Sequence, residues 1–194
     1  MPTEQKPEDD SWQRIWDARL AALKPILGDA GDTVYHAAIP MFMGGPADVV
    51  PFPSYVPGFT YVTADLTGEG AGQLPSSLGN YELMVCTRTE VAAAPDLIAR
   101  LAQQTLESVL EPGESMDIGT FLGDATMRAL LFTHPGSAPT RFTLEGKHCG
   151  LLLCIGITTS ELEFKHANGS DALLARLHAS AVFPYTVPNR PPVV

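Results

Sequence analysis

Trp12, Ile15, Trp16, Leu20 and Leu23 recur at intervals of three and four residues, the spacing that lines apolar side chains along one face of a helix. Asp10 and Ser11 stand before them as capping residues and Pro25 ends the pattern, so an amphipathic first helix is expected. Between Pro40 and Pro57 five prolines and the pair Gly44-Gly45 remove donors and fix φ angles, which predicts a long ordered loop. Phe59 to Leu66 and Tyr81 to Thr87 are rich in aromatic and β-branched residues and read as strands. The glycine-rich stretch Gly68 to Gly72 separates them, as expected for a hairpin or neighbouring strands. Pro95, Leu97, Ile98, Leu101, Leu106 and Val109 carry helical spacing up to Pro112-Gly113. Ser115 to Ile118, Arg128 to Thr133 and Cys149 to Ile157 read as three more strands. The last is almost entirely apolar and so is expected at the centre of a sheet, covered on both faces. Ser160 and Glu163 have the spacing of a capping box, Asn168-Gly169 breaks the helix they start, and Ser170 opens another through Leu177.

This order of helix, strands, helix, strands, helices predicts an α+β fold with a mixed, mainly antiparallel central sheet and helices packed on it. At 194 residues the chain suits one domain, residues 1–183, with the proline-rich residues 184–194 as a tail. An apolar fraction of 45% against 18% charged residues supplies enough side chains for a core. The net charge of −10, from 22 acids and 12 bases, opposes approach to a phosphate backbone or an anionic membrane surface. It favours a basic protein as partner, and equally serves solubility. Cys86, Cys149 and Cys154 are too few and too scattered for a disulfide framework. With a polar N-terminus and no long apolar run, they point to a reducing, cytoplasmic setting.

Catalytic motifs are absent from the sequence. Gly68 to Gln73 lacks the third glycine of a dinucleotide fingerprint, Gly146-Lys147 is followed by His148 where a phosphate loop needs a hydroxyl, and no Gly-x-Ser-x-Gly elbow occurs. His148, Cys149 and Cys154 fall short of a four-ligand zinc set, so neither metal nor cofactor is expected. Cys86 lies in an apolar strand and reads as an inert thiol. Glu82 stands out as an acid in the same apolar strand. A buried carboxylate needs a counter-charge, and Arg88 or Arg128 could supply it; a structural ion pair of Glu82 with Arg88 is the expectation. Two other readings stay open: a hydrolase pocket around Glu82, His134 and His148, and a small-molecule site in a sheet cleft.

Several segments in one order resemble the N-terminal domain of the Suppressor of fused family. They are Gly44-Gly45-Pro46, Tyr61 to Gly68 (YVTADLTG), Gly79 to Glu90 with its Glu-Leu inside a strand, Ala129 to Gly136, and Gly150 to Leu177. The resemblance runs from about Gly44 to Leu177. It implies a non-catalytic protein-binding domain. In animals the family member is a cytoplasmic repressor that binds a transcription-factor peptide by strand addition between two domains, and nothing in this sequence resembles the second of these. Short bacterial relatives are associated with toxin systems as immunity proteins, often against nucleases, which implies a basic partner here. The resemblance also places partner binding at Tyr61 and a nearby acid, Asp65 or Glu69, with Asp65 standing where the family usually has glycine.

Overall fold

In a computed structural model, described here for residues 7–68, 70–119, 126–138 and 140–194, the strands form one seven-stranded sheet with helices on both faces. The elements in chain order are α1 (Pro7–Leu27), β1 (Val49–Pro51), β2 (Phe59–Thr63), β3 (Asn80–Thr87), α2 (Ala93–Gln104), β4 (Ser115–Asp117), β5 (Met127–Thr133), β6 (Arg141–Leu144), β7 (Lys147–Thr158), α3 (Thr159–Asn168) and α4 (Ser170–Ala179), with a 3-10 turn at Met41–Met43. The sheet order is β1-β2-β3-β7-β5-β4. Among the strands named here only β3 and β7 run parallel, with Asn80 to Met84 in register with Cys149 to Leu153. All other pairs are antiparallel, so the mixed, mainly antiparallel α+β expectation holds.

The apolar run of β7 is explained by its place. It pairs with β3 on one edge, and on the other with β6 at its start and β5 at its end, so from Cys149 to Thr158 every residue is buried, while Lys147 and His148 at its start are exposed. Its alternating side chains divide the core in two. Leu151, Leu153, Ile155 and Ile157 pack with Trp16, Leu23 and Leu27 of α1 and Leu173 and Leu177 of α4. Leu152 and Cys154 face the other way, with Leu83, Val85, Phe132 and the α2 residues Leu97, Ile98 and Leu101.

Element ends differ from the sequence reading where a competing local bond decides them. Helix α1 passes through Pro25 to Leu27, where Gly28 at φ +88° donates its N–H to Lys24 O and closes the last turn. Helix α2 stops at Gln104 because the Thr105 hydroxyl takes the Ala102 carbonyl at 2.7 Å. The capping box sits two residues earlier than expected. Thr158 is the extended N-cap and accepts from Glu161 N, while Glu161 accepts from Thr158 N. Ser170 starts α4 yet caps nothing with its side chain; its hydroxyl donates to Gly113 O. Strands β1 and β6 were not legible, since one begins among the prolines and the other is four residues long.

The proline-rich residues after Pro184 are not a free tail. Tyr185 bridges Cys86 in the sheet, Thr186 receives the Gly156 N–H at 2.9 Å, and Arg190 is buried against Glu161. The segment continues the fold because it brings its own side-chain partners to an otherwise open sheet margin.

Candidate functional site

Arg19 falls on the apolar stripe of α1, seven residues after Trp12 and four before Leu23, so helix geometry turns a cation toward the core. It is nearly buried there. Its guanidinium donates to the carbonyls of Ala64 and Thr67, to Thr67 Oγ1 at 3.2 Å, and lies 3.4 Å from Glu82 Oε1. Glu82 itself is wholly buried and accepts from Thr63 Oγ1 at 2.7 Å, Thr67 Oγ1 at 2.6 Å, and the N–H groups of Thr67 and Leu66 at 3.0 and 3.3 Å. The base that meets Glu82 is therefore Arg19 and not Arg88. Six residues along a strand place Arg88 about 20 Å away, where it lies over the Tyr185 ring at 4.2 Å and donates to Ala181 O. Burial raises the Glu82 pKa to about 6, opposed by Arg19 and the two threonine hydroxyls.

Above this pair a cleft of about 370 Å³ opens between α1 and the loop before β1, lined by Trp12, Ile15, Arg19, Met41, Asp48 and Asp65 among others. Its acidic wall is a short relay. Asp48 accepts from Ala37 N at 2.9 Å and contacts His36 Nδ1 at 2.7 Å, while its own N–H donates to Asp65 Oδ2 at 2.7 Å. Burial pushes the Asp65 carboxyl up, with the Asp48 charge adding to it; the Asp48 N–H, Arg19 and His36 pull the other way. Trp12 stacks on Trp16 with centroids 5.3 Å apart, and Trp12, Ile39 and Met43 stand exposed at and beside the mouth. The cleft thus offers two carboxylates between apolar walls, a combination suited to a cationic, partly apolar segment.

Pro40 and Met41 line the cleft, and the Gly-Gly-Pro segment follows them in the chain. Gly44 at φ +89° closes the 3-10 turn with its N–H on Met41 O, and a Cβ on Gly45 would sit 1.7 Å from Ile39 O. Because that neighbour is backbone, Gly45→Ala is expected to cost about 1–3 kcal/mol and to move the Pro40–Met41 wall. Urea unfolding of this variant beside Gly44→Ala measures the first effect, and an unchanged midpoint would contradict it.

The residues singled out by sequence do not converge on one site. Asp65 lies in the cleft; Glu69 is outside the described residues; Tyr61 is 3% exposed, edge-on to Tyr35 and stacked with Phe59, and belongs to the α2 side of the sheet. The hydrolase grouping of Glu82, His134 and His148 does not assemble among the described residues: Glu82 is buried with both oxygens bonded, whereas His148 is exposed. Burial raises all three thiols, Cys86 and Cys154 to about 12, so they stay protonated. No cluster of three metal-ligating side chains occurs among the described residues, and no described helix is long and apolar enough to cross a membrane. Arg19, Asp48 and His36 escaped the sequence reading. Arg19 had a visible signal, a cation within an apolar helical stripe; Asp48 and His36 lie in irregular backbone, where no periodicity marks a residue.

Solved structures share this architecture. The Sufu-Fu complex matches with a TM-score of 0.70 at 13% identity, over 93% of this chain and 91% of that one. A Suppressor of fused homologue from Neisseria gonorrhoeae gives 0.67 at 16%, over 94% and 98%. Drosophila Suppressor of Fused gives 0.71 at 13%, over 92% of this chain and 50% of that one, so this chain spans half its length. No curated protein matches by sequence. The sequence profile of the family described as Suppressor of fused protein (SUFU) matches residues 46–191, from Pro46 to just beyond Arg190, and the chain belongs to the Suppressor of fused family.

Proposed function

We propose that this chain is a non-catalytic protein-binding domain that takes a basic protein into the Asp48/Asp65 cleft, and that it acts as an immunity protein whose partner is a nuclease toxin. The observation that carries the reading is the cleft itself, where two carboxylates meet apolar walls and exposed Trp12 on a chain of net charge −10. Membership of a protein-interaction family and likeness to a structure solved as a protein complex support it. A nuclease reads phosphate with Lys and Arg, and an acidic cleft is the complementary surface. Glu69, next to the cleft residues Thr67 and Gly70 in sequence, is proposed to add to the acidic contact. Tyr61 is proposed to act through the rings that cover it.

The test is retrieval of partners by the tagged chain from native lysate at low and high salt, repeated with Asp65→Asn, which keeps an acceptor for Asp48 N–H and removes the charge. A basic nuclease held at low salt, released at high salt, and bound at least about tenfold more weakly by Asp65→Asn, roughly 1.4 kcal/mol, is the expected result. Retention unaffected by salt sinks the electrostatic part. The cleft volume also lies within the range of small-ligand sites, which favours a small cationic ligand as the second reading. A bait that holds no protein at either salt, but melts higher with added polyamine, would select that one.

A further inference from the structure

Beneath the cleft floor lies a carboxylate whose surroundings accommodate both of its protonation states. Glu82 is wholly buried, and Arg19, which lines the cleft, reaches it through Nε alone. The two terminal guanidinium nitrogens serve the carbonyls of Ala64 and Thr67 instead. The pair is therefore a single contact of 3.4 Å and not a fork. The side chains that complete the shell of Glu82 are hydroxyls, which can reverse their bonds. Thr63 Oγ1 donates to Glu82 Oε2 at 2.7 Å and has the Leu83 carbonyl at 3.5 Å as a second acceptor. A proton on Oε2 turns the first bond round: the carboxylic acid donates, the Thr63 hydroxyl accepts, and its own hydrogen swings to Leu83 O. A neutral Glu82 thus keeps its partners.

What the proton changes is the charge at the cleft floor. The charged and titratable groups around Glu82 are Arg19 from α1, Asp65 just beyond β2 and the Cys149 thiol of β7. Burial raises that thiol, so it stays neutral. Asp65 faces the cleft together with Asp48, which His36 contacts. With Glu82 ionised, its charge cancels that of Arg19, and the two aspartates set the sign of the cleft. With Glu82 protonated, the guanidinium stands uncompensated and repels the cation that the aspartates attract. Burial, against Arg19 and the threonine hydroxyls, puts the change at about pH 6. The grip is full above that pH and is lost as pH falls through it.

We propose that Glu82 is a proton switch for the cleft: ionised, it lets the Asp48/Asp65 cleft hold a basic segment, and protonated, it releases that segment through the charge of Arg19. The inference rests on the cleft reading above. Reciprocity adds a second signature, because a ligand that prefers ionised Glu82 draws its proton off and lowers its titration midpoint. An oligolysine peptide titrated into the full chain at low salt, between about pH 5 and 7.5, tests both. Affinity is expected to fall at least about tenfold across that range and to stay near the weak value throughout in Glu82→Gln. The Glu82 carboxyl, followed by carbon NMR, is expected to titrate about one unit lower with the peptide bound. An affinity equal at both ends of the range, a fall just as large in Glu82→Gln, or a Glu82 midpoint that the peptide does not move would overturn the switch. Should Glu82→Gln not fold, the midpoint in the wild-type chain decides. Peptide binding that Asp65→Asn weakens and pH leaves unchanged sinks the switch while the cleft reading stands. Binding indifferent to Asp65→Asn, or none at any pH, sinks the cleft reading and the switch with it.

Discussion

Arg19→Met is expected to destabilise the protein by about 3–5 kcal/mol at pH 8 and by clearly less at pH 5. Glu82 is wholly buried beneath Arg19, and removing the guanidinium leaves a desolvated carboxylate with hydroxyl and amide donors but no counter-charge. In the intact protein its pKa is already raised to about 6 from 4.5, by burial. Folding therefore binds a proton more readily at this site, and its contribution to stability falls as pH rises between those two values. Without Arg19 the folded pKa climbs further, so the extra loss grows over the range where wild-type Glu82 is already ionised. At pH 5 both proteins hold Glu82 neutral, and only the hydrogen bonds of Arg19 to Ala64, Thr67 and its packing are missing. Chemical denaturation at both pH values measures the difference. Equal losses would mean that Arg19 acts by packing alone. Because the same guanidinium holds the 64–67 turn that lines the cleft, partner retention should fall together with stability.

How far the fold was readable follows from where its information is local. β7 announced itself because burial on both faces demands an unbroken apolar run, and α2 because its Leu97, Ile98 and Leu101 follow the helical period. The Asn168-Gly169 break held for the same reason, with Gly169 at φ +90°. β1 and β6 were not readable, since a strand of three or four residues has too little alternation to count. The misplaced capping box shows a finer limit. Residues 158–163 offer two registers with identical spacing, and only the end of β7 selects Thr158 over Ser160. For the site, Glu82 was legible through its polarity in an apolar strand, whereas Asp65 was named only as an acid near Tyr61, at a position where the family usually has glycine. Their partners were not legible. Arg19 is 63 residues from Glu82 in sequence, Asp48 meets Asp65 through backbone in an irregular loop, and no pattern along the chain encodes such pairings.

The second buried pair carries the opposite pH signature, and its loss should be as large. Glu161 receives both Arg190 guanidinium nitrogens, at 2.5 and 2.7 Å, and the N–H groups of Thr158 and Val193, each at 2.9 Å. Burial alone would raise its pKa, as at Glu82, but here the Arg190 hydrogen bonds and two direct backbone donors outweigh it and hold the carboxyl below its usual range. At Glu82 the guanidinium stands off at 3.4 Å, and burial wins. Glu161 therefore stabilises the fold above the ordinary carboxylate pKa, and that contribution is lost as pH falls through its depressed value. Arg190→Ala is expected to cost about 3–5 kcal/mol at neutral pH, with the gap to wild type narrowing below about pH 4. The cost has a structural address. Arg190 and Val193 are the bonds that fasten the C-terminal segment to the start of α3, so the variant should expose residues 187–194 to proteolysis before the sheet unfolds. Limited digestion followed by mass measurement decides it: cleavage confined to that segment supports a clasp closed by one ion pair. Protection equal to wild type would mean that Tyr185 and Thr186, anchored to Cys86 and Gly156, hold the segment without Arg190.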